Sequence, residues 1–208
     1  RVTFAMIKSR LRDSLVLLLA VLLSGCSNAG YYAQAIGGHL AVMRAATPID
    51  RLMSDPASDP RLKSKLHEVQ AIRDFASRDL ALPDNGSYRQ YADIGRNYVV
   101  WNVFATPPFS VEPRRWCFPV AGCVVYRGYF AERRAQSYAG RLRRRGDDVA
   151  VGGVTAYSTL GHFADPILSS MLPYSDAQLA GTIFHELAHQ LVYIQDDSAF
   201  NEAFASTV

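Results

Sequence analysis

Ser175-Asp-Ala-Gln-Leu-Ala-Gly-Thr-Ile-Phe-His-Glu-Leu-Ala-His-Gln-Leu191 is the stretch on which the fold turns. Ser175 with Gln178 three residues on is a capping box, so a helix is expected to start at Asp176. Leu179, Ile183, Leu187 and Leu191 recur every four residues and form its core stripe. His185 and His189 then stand one turn apart on one face, within reach of a single metal ion, while Glu186 projects about 100° round from His185, beside the metal position and off it. That arrangement suits zinc chemistry, in which the ion lowers the pKa of water and a neighbouring carboxylate acts as general base. A pair of histidines on a helix is more often surface decoration. The apolar helix, its cap and a further acidic residue, Glu202 in Phe200-Asn-Glu-Ala-Phe-Ala205, raise the reading above that. Zinc held by two His and one Glu keeps a fourth position open.

Twelve residues separate His189 from Glu202. A helix continuing to Ile194 climbs roughly 7 to 8 Å at about 1.5 Å per residue. Gln195 to Ser198 can reverse the chain, with Asp197 or Ser198 capping a second helix that descends by roughly 6 Å and returns Glu202 to the level of His189. An antiparallel helix pair around a common metal is the expectation. Val208 is expected inside that second helix, so the sequence reads as a piece of a longer chain.

Outward from this motif the chain alternates in character. Tyr31 to Ala46 reads as a helix, and Thr47-Pro48 and Asp59-Pro60 both carry the signature of an N-cap followed by proline. The second opens an amphipathic stretch to about Leu82. Tyr98 to Phe104, Cys123 to Tyr126 and Val149 to Tyr157 are rich in β-branched and aromatic residues and read as strands. Between them Ala131 to Arg145 is a helix stopped by Gly146, with its arginines crowded at the C-terminal end, where cations suit the helix dipole. These elements make a mixed α+β chain, with N-terminal helices ahead of a small sheet and the motif helix.

Composition agrees: 49% of the 208 residues are hydrophobic and 20% charged, a globular profile, and the net charge of +3 gives nucleic acid little support as a partner. The first segment stands apart. From Met6, the expected start, a basic stretch leads to the apolar run Leu15 to Leu23 and then Ser24-Gly25-Cys26. The run is shorter than the about 20 residues that a permanent span needs. Basic, apolar and small residues followed by Cys resemble the bacterial lipoprotein signal, which implies removal of residues 1–25, a lipid on Cys26 and a single domain over 26–208. Cys117 and Cys123 flank Pro119 and Gly122 and are suited either to a disulfide in an oxidising compartment or to two free thiols.

His-Glu-Leu-Ala-His-Gln at 185–190 with Asn-Glu-Ala-Phe-Ala-Ser at 201–206 resembles the core of gluzincin metallopeptidases, especially zinc aminopeptidases, although the link between the two segments is shorter here. With the Cys26 signal, Trp116 to Phe130 and Gly152 to Gly161, the chain is similar to a family of bacterial lipoproteins classed as zinc aminopeptidases. The resemblance implies a zincin-like fold, His185, His189 and Glu202 as zinc ligands, Glu186 as base, and a peptide bound along the Val149–Tyr157 edge strand, where Tyr157 either faces the substrate or supports the oxyanion, against the plainer reading of a core or rim tyrosine. It also implies a periplasmic lipoprotein, with Ser27 pointing to the outer membrane. The second reading is a catalytically silent zinc lipoprotein that serves as a scaffold. His39, His67 and His162 have no partner spacing and read as surface or core histidines.

Overall fold

The computed structural model describes residues 29–118 and 122–208. Met6, the signal segment and Cys26 lie outside the described residues. The chain divides into two compact units, Arg1–His39 and Leu40–Val208. Residues 29–45 are helical (α1). No helix among the described residues is long and apolar enough to cross a membrane.

The second unit is mixed α+β with small sheets. β1 (Ala46–Pro48) leads into α2 (Ile49–Ser54), so Thr47 lies in a strand and pairs with Tyr91, while Pro48 takes the N-cap position with no side-chain cap. The cap-and-proline reading of Thr47-Pro48 is therefore one residue out of place: β pairing claims the threonine. Asp59 behaves as expected. Its carboxylate accepts from Arg61 N at 2.8 Å and opens α3 (Pro60–Arg78), which ends before the expected Leu82. β2 (Gln90–Ala92) joins β1 antiparallel and β8 (Ile167–Leu168) parallel, a sheet of very short strands with no periodicity long enough to announce it.

The middle of the chain supplies β3 (Val100–Thr106), the hairpin β4 (Trp116–Phe118) and β5 (Gly122–Val124), β6 (Arg127–Tyr129), α4 (Glu132–Arg143) and β7 (Asp148–Val154). β3 is central, antiparallel to β6 and β7. α4 buries Ala135, Ala139 and Leu142 on one stripe and covers one face of this sheet. There the Tyr138 ring lies 5.7 Å from Tyr129 and 4.9 Å from the Arg127 guanidinium. The expected strand to Tyr157 stops at Val154, and the expected Cys123–Tyr126 strand ends at Val124, with Val125 and Tyr126 in the bend before β6.

The main core lies between α3, α5 (Asp176–Leu191), α6 (Ser198–Ala205) and the β1-β2-β8 sheet. Leu66, Val69 and Ala76 of α3 meet Leu179, Ile183 and Leu187 of α5, all 0% exposed, and Phe75 packs on Phe184 with ring centroids 6.0 Å apart. Burial of such side chains stabilises a fold by about 1.5 to 3 kcal/mol each, enough to hold α5 rigid. Leu191, expected in the same stripe, is 51% exposed because the helix ends there.

Candidate metal centre

α5 starts with the expected reciprocal cap: Ser175 N donates to Gln178 Oε1 at 3.0 Å, and Gln178 N donates back to Ser175 Oγ at 3.3 Å. With that start fixed and the apolar stripe buried, the helical period turns His185 and His189 to the same side. Their rings meet edge to face with centroids 4.6 Å apart, and the two Nε2 atoms are 3.1 Å apart.

The chain leaves α5 at Val192 and reverses through residues 192–197. Asn201 closes this turn from inside. Its side chain is buried, its Oδ1 accepts from Ile194 N at 2.7 Å, and its Nδ2 donates to Ile194 O at 2.8 Å. Asp197 caps α6 by accepting from Phe200 N at 3.0 Å. Glu202, one residue past Asn201, is thereby brought back to the histidines, with Oε2 at 3.1 Å from His185 Nε2 and Oε1 at 3.7 Å from His189 Nε2. The ligating atoms of His185, His189 and Glu202 all lie within 4.8 Å of one another. Asn201 stands in the quoted Asn-Glu-Ala-Phe-Ala segment, but its role in the turn was not legible there, because a pair of hydrogen bonds to one backbone residue has no spacing signature.

The donor set fits a zinc ion. Burial first, then the neighbouring His185, push the His189 imidazole below its usual range against the opposing pull of Glu202, so its ring is neutral at pH 7 and offers a lone pair. His189 Nδ1 is buried with no hydrogen-bond partner among the described residues, so the ring owes its orientation to what Nε2 faces. Two imidazole nitrogens and a carboxylate converging within 4.8 Å form a candidate site for a cation.

Glu186 lies beside this cluster. Burial first, then the charges of Glu202 and Asp165, push its carboxyl up to about 7, opposed by the Ser158 hydroxyl. A cation on the three ligands would pull it back down. Asp165 is itself buried and accepts from Thr159 N at 2.8 Å and from Thr159 Oγ1 at 2.9 Å, which fixes the Ser158–Thr159 segment. Tyr157 lies past the end of β7. It packs edge to face on Phe130 at 5.5 Å, and burial, then Asp165, raise its phenol well above the usual value. His39, His67 and His162 do not join the cluster.

Two supports brace the site. Gln190 Oε1 accepts from Asn85 Nδ2 at 2.7 Å and its Nε2 donates to Ser87 Oγ at 3.3 Å. The fully buried Arg73 of α3 holds the same loop by donating to the carbonyls of Ser87, Pro83 and Asn85. On the other side Cys117 and Cys123 face each other across β4 and β5 and are joined as a disulfide. Cys123 N donates to Asp196 Oδ1 at 2.6 Å and Arg115 Nη2 to Asp196 O at 3.1 Å, so this hairpin is tied to the turn between α5 and α6. Gly122, at φ +69, lies so close to that turn that a Cβ would come within 2.7 Å of Gln195 Cγ.

Fold and site together define a mixed α+β protein with a His-Glu-x-x-His helix and a returning glutamate at a candidate metal centre. Comparison with known families matches residues 30–208 to the family described as "putative aminopeptidase", and the chain belongs to that family. No curated protein and no solved structure matches it.

Proposed function

We propose that the chain is a zinc-dependent peptide hydrolase of the aminopeptidase kind, built on a zincin-like core and held at a periplasmic membrane surface by a lipid on Cys26. The observation that carries the catalytic part is the convergence of His185, His189 and Glu202 from two helices, with Glu186 next to them and outside the ligand set. Zinc held by these three residues supplies Lewis-acid activation of water and of the scissile carbonyl.

The residues divide the remaining work. The His185 and His189 nitrogens and the Glu202 carboxylate form the cation site, and the Glu202 side chain, 65% exposed, leaves the site open to substrate. Glu186 takes a proton from the attacking water and hands it to the leaving nitrogen, a transfer that general bases accelerate by roughly 10² to 10⁴-fold. A scaffold that only stored zinc would have no use for such a carboxylate, which favours the hydrolase over the silent lipoprotein. β7 pairs on one edge only, with β3, and so has an edge free among the described residues on which an extended peptide can lie.

The test is Glu186→Gln in the full-length protein. Zinc content by metal analysis should stay at the wild-type level, and hydrolysis of amino-acid amides and short peptides should fall by roughly 10² to 10⁴-fold. Loss of zinc with the activity would make Glu186 structural, and an unchanged rate would end the mechanism.

A further inference from the structure

Pro107-Pro-Phe-Ser-Val-Glu-Pro113, the loop that follows β3, holds two apolar side chains in solvent. Its base is closed where Arg114 N donates to Ala105 O at 2.7 Å. Within it Ser110 N donates to Pro107 O at 3.2 Å and Glu112 N to Ser110 Oγ at 3.0 Å. The first of these bonds makes a β-turn with Pro108 and Phe109 at its centre, and Phe109 has φ +58. Proline followed by a positive φ is a type II turn, whose second central position favours glycine. Phe109 nevertheless stands there fully in solvent, and Val111 is 96% exposed. Folding gains nothing from a bulky residue in the left-handed region, and solubility loses by its exposure, so a contact outside the chain accounts for it.

The same end of the β6-β3-β7 sheet is basic. Register sets Thr106, the last residue of β3, opposite Asp148, the first of β7, so the loop emerges beside the end of α4. Arg114 Nη2 donates to the buried Asp147 carboxylate at 2.5 Å and ties the base of the loop to the turn between α4 and β7. Around that turn Arg141, Arg143, Arg144 and Arg145 are all exposed, and Arg143 also donates to Val149 O at 2.9 Å. With Asp147 paired to Arg114, the acidic side chains facing these four among the neighbouring described residues are Glu112 and Asp148, so positive charge is in excess. The other end of β3 belongs elsewhere: Val100 lies in the main core, roughly 20 Å from Thr106 at about 3.3 Å per residue.

Resting on the reading of the chain as a membrane-held lipoprotein, we propose that this end of the sheet docks on an anionic phospholipid leaflet, with Phe109 and Val111 entering the boundary between headgroups and acyl chains and the arginines of the α4–β7 turn against the phosphates. A two-residue apolar tip beside a basic turn suits lipid better than protein. A stable protein interface takes roughly 800 Å² from each partner around a packed core, which such a tip does not offer. A leaflet needs no complementary shape, and there the buried apolar area and the attraction of basic groups to anionic headgroups add. Pro107, Pro108 and Pro113 hold the tip in shape beforehand, which lowers the cost of ordering it on contact. The core end of β3 then points away from the lipid.

The experiment uses the full-length protein, reconstituted through its own anchor into vesicles of phosphatidylcholine alone or of equal parts phosphatidylcholine and phosphatidylglycerol. Phe109→Trp carries the probe, and wild type gives the background of Trp101 and Trp116. In the mixed vesicles the introduced indole should shift its emission to the blue and be quenched by brominated acyl chains, and much less so in phosphatidylcholine alone. Adding Arg144→Gln or Arg145→Gln should lower the ratio of inserted to free tip about fivefold each, the contribution of one basic group near an anionic surface. Phe109→Gly should keep or raise the melting temperature, since glycine suits the turn. A lowered one would show that the phenylalanine serves the fold and would overturn the inference. So would an indole that stays in water on both vesicles, as a tip directed at a protein partner would, or quenching indifferent to the arginines and to the headgroup charge. Absence of acyl labelling on Cys26 would remove the anchor alone. The soluble variants, mixed with the same vesicles and sedimented, then give the reading: charge-dependent quenching upholds the docking surface, and unbound or unquenched protein overturns it.

Discussion

Glu186 and Glu202 carry the same functional group within one small volume, and their surroundings set their chemistry apart. Glu202 lies on an exposed helix face against two imidazoles, where a carboxylate acts as a ligand. Glu186 is pushed up to about 7 by burial and by two neighbouring carboxylates, where a carboxyl can give and take a proton. Asn201 decides which of them reaches the histidines, because its amide ties down both backbone groups of Ile194 and so fixes how far α6 returns. Asn201→Ala removes both side-chain hydrogen bonds to Ile194, at a cost of about 0.5 to 1.5 kcal/mol each in unfolding by urea. Zinc affinity, measured by competition with a chromophoric chelator, should fall about 10 to 100-fold, the usual effect of removing a group that orients a ligand. Asn201→Asp keeps the acceptor for Ile194 N and should lie between the two. An Asn201→Ala protein that is destabilised but binds zinc as tightly as wild type would show that the turn holds Glu202 without this amide.

Elements were legible in the sequence where one local rule spoke and no distant partner competed. α5 shows both its cap and its stripe, and its histidines follow from them, so the positions of His185, Glu186 and His189 on the helix could be read from period alone. The return of Glu202 was legible as a length argument, although α5 ends at Leu191 and the turn takes up the difference. Thr47 went to a strand because Tyr91 offered it a backbone partner from far along the chain, which no local pattern reports. Arg73 was invisible for the same reason: an arginine on an amphipathic helix looks solvated until a loop folds its carbonyls over it. That arginine is the element-scale brace of the site, since it holds carbonyls of the loop whose Asn85 and Ser87 side chains grip Gln190. Burial and the nearby Arg89 lower its pKa, yet an arginine stays charged, so removing it strands several carbonyls at once. Arg73→Met, close in length but without donors, should destabilise the fold by about 3 to 5 kcal/mol in urea unfolding. Limited proteolysis should then cut first within residues 83–88; an unchanged midpoint and cleavage pattern would mean the loop is held by its other contacts.

At the scale of the whole chain, the proposed function rests on two attachments, one to a membrane and one to a metal. If the lipid is on Cys26, Cys26→Ser should move the full-length protein from the membrane fraction to the soluble one with its melting temperature unchanged, and continued membrane fractionation without acyl labelling would remove the anchor. The proposed metal would act on stability as well as catalysis, because the three residues that would hold it sit on two helices and come together only when the turn at 192–197 is formed. An ion that binds the folded chain and not the unfolded one stabilises it by RT ln(1 + [L]/Kd), about 4 kcal/mol at a free concentration of about 1,000 Kd. A chain of about this size shifts its Tm by roughly 2 to 4 °C per kcal/mol, so chelation should lower Tm by roughly 8 to 16 °C, and zinc should restore it. The shift must also follow the ligands. Glu202→Gln should lose much of it, His189→Ala nearly all of it, and Glu186→Gln none, because the base lies outside the ligand set. Melting curves of the four proteins with and without chelator separate these cases in one experiment. A stabilisation that survives in His189→Ala, or that disappears in Glu186→Gln, would place the ion on other residues than the three that converge here.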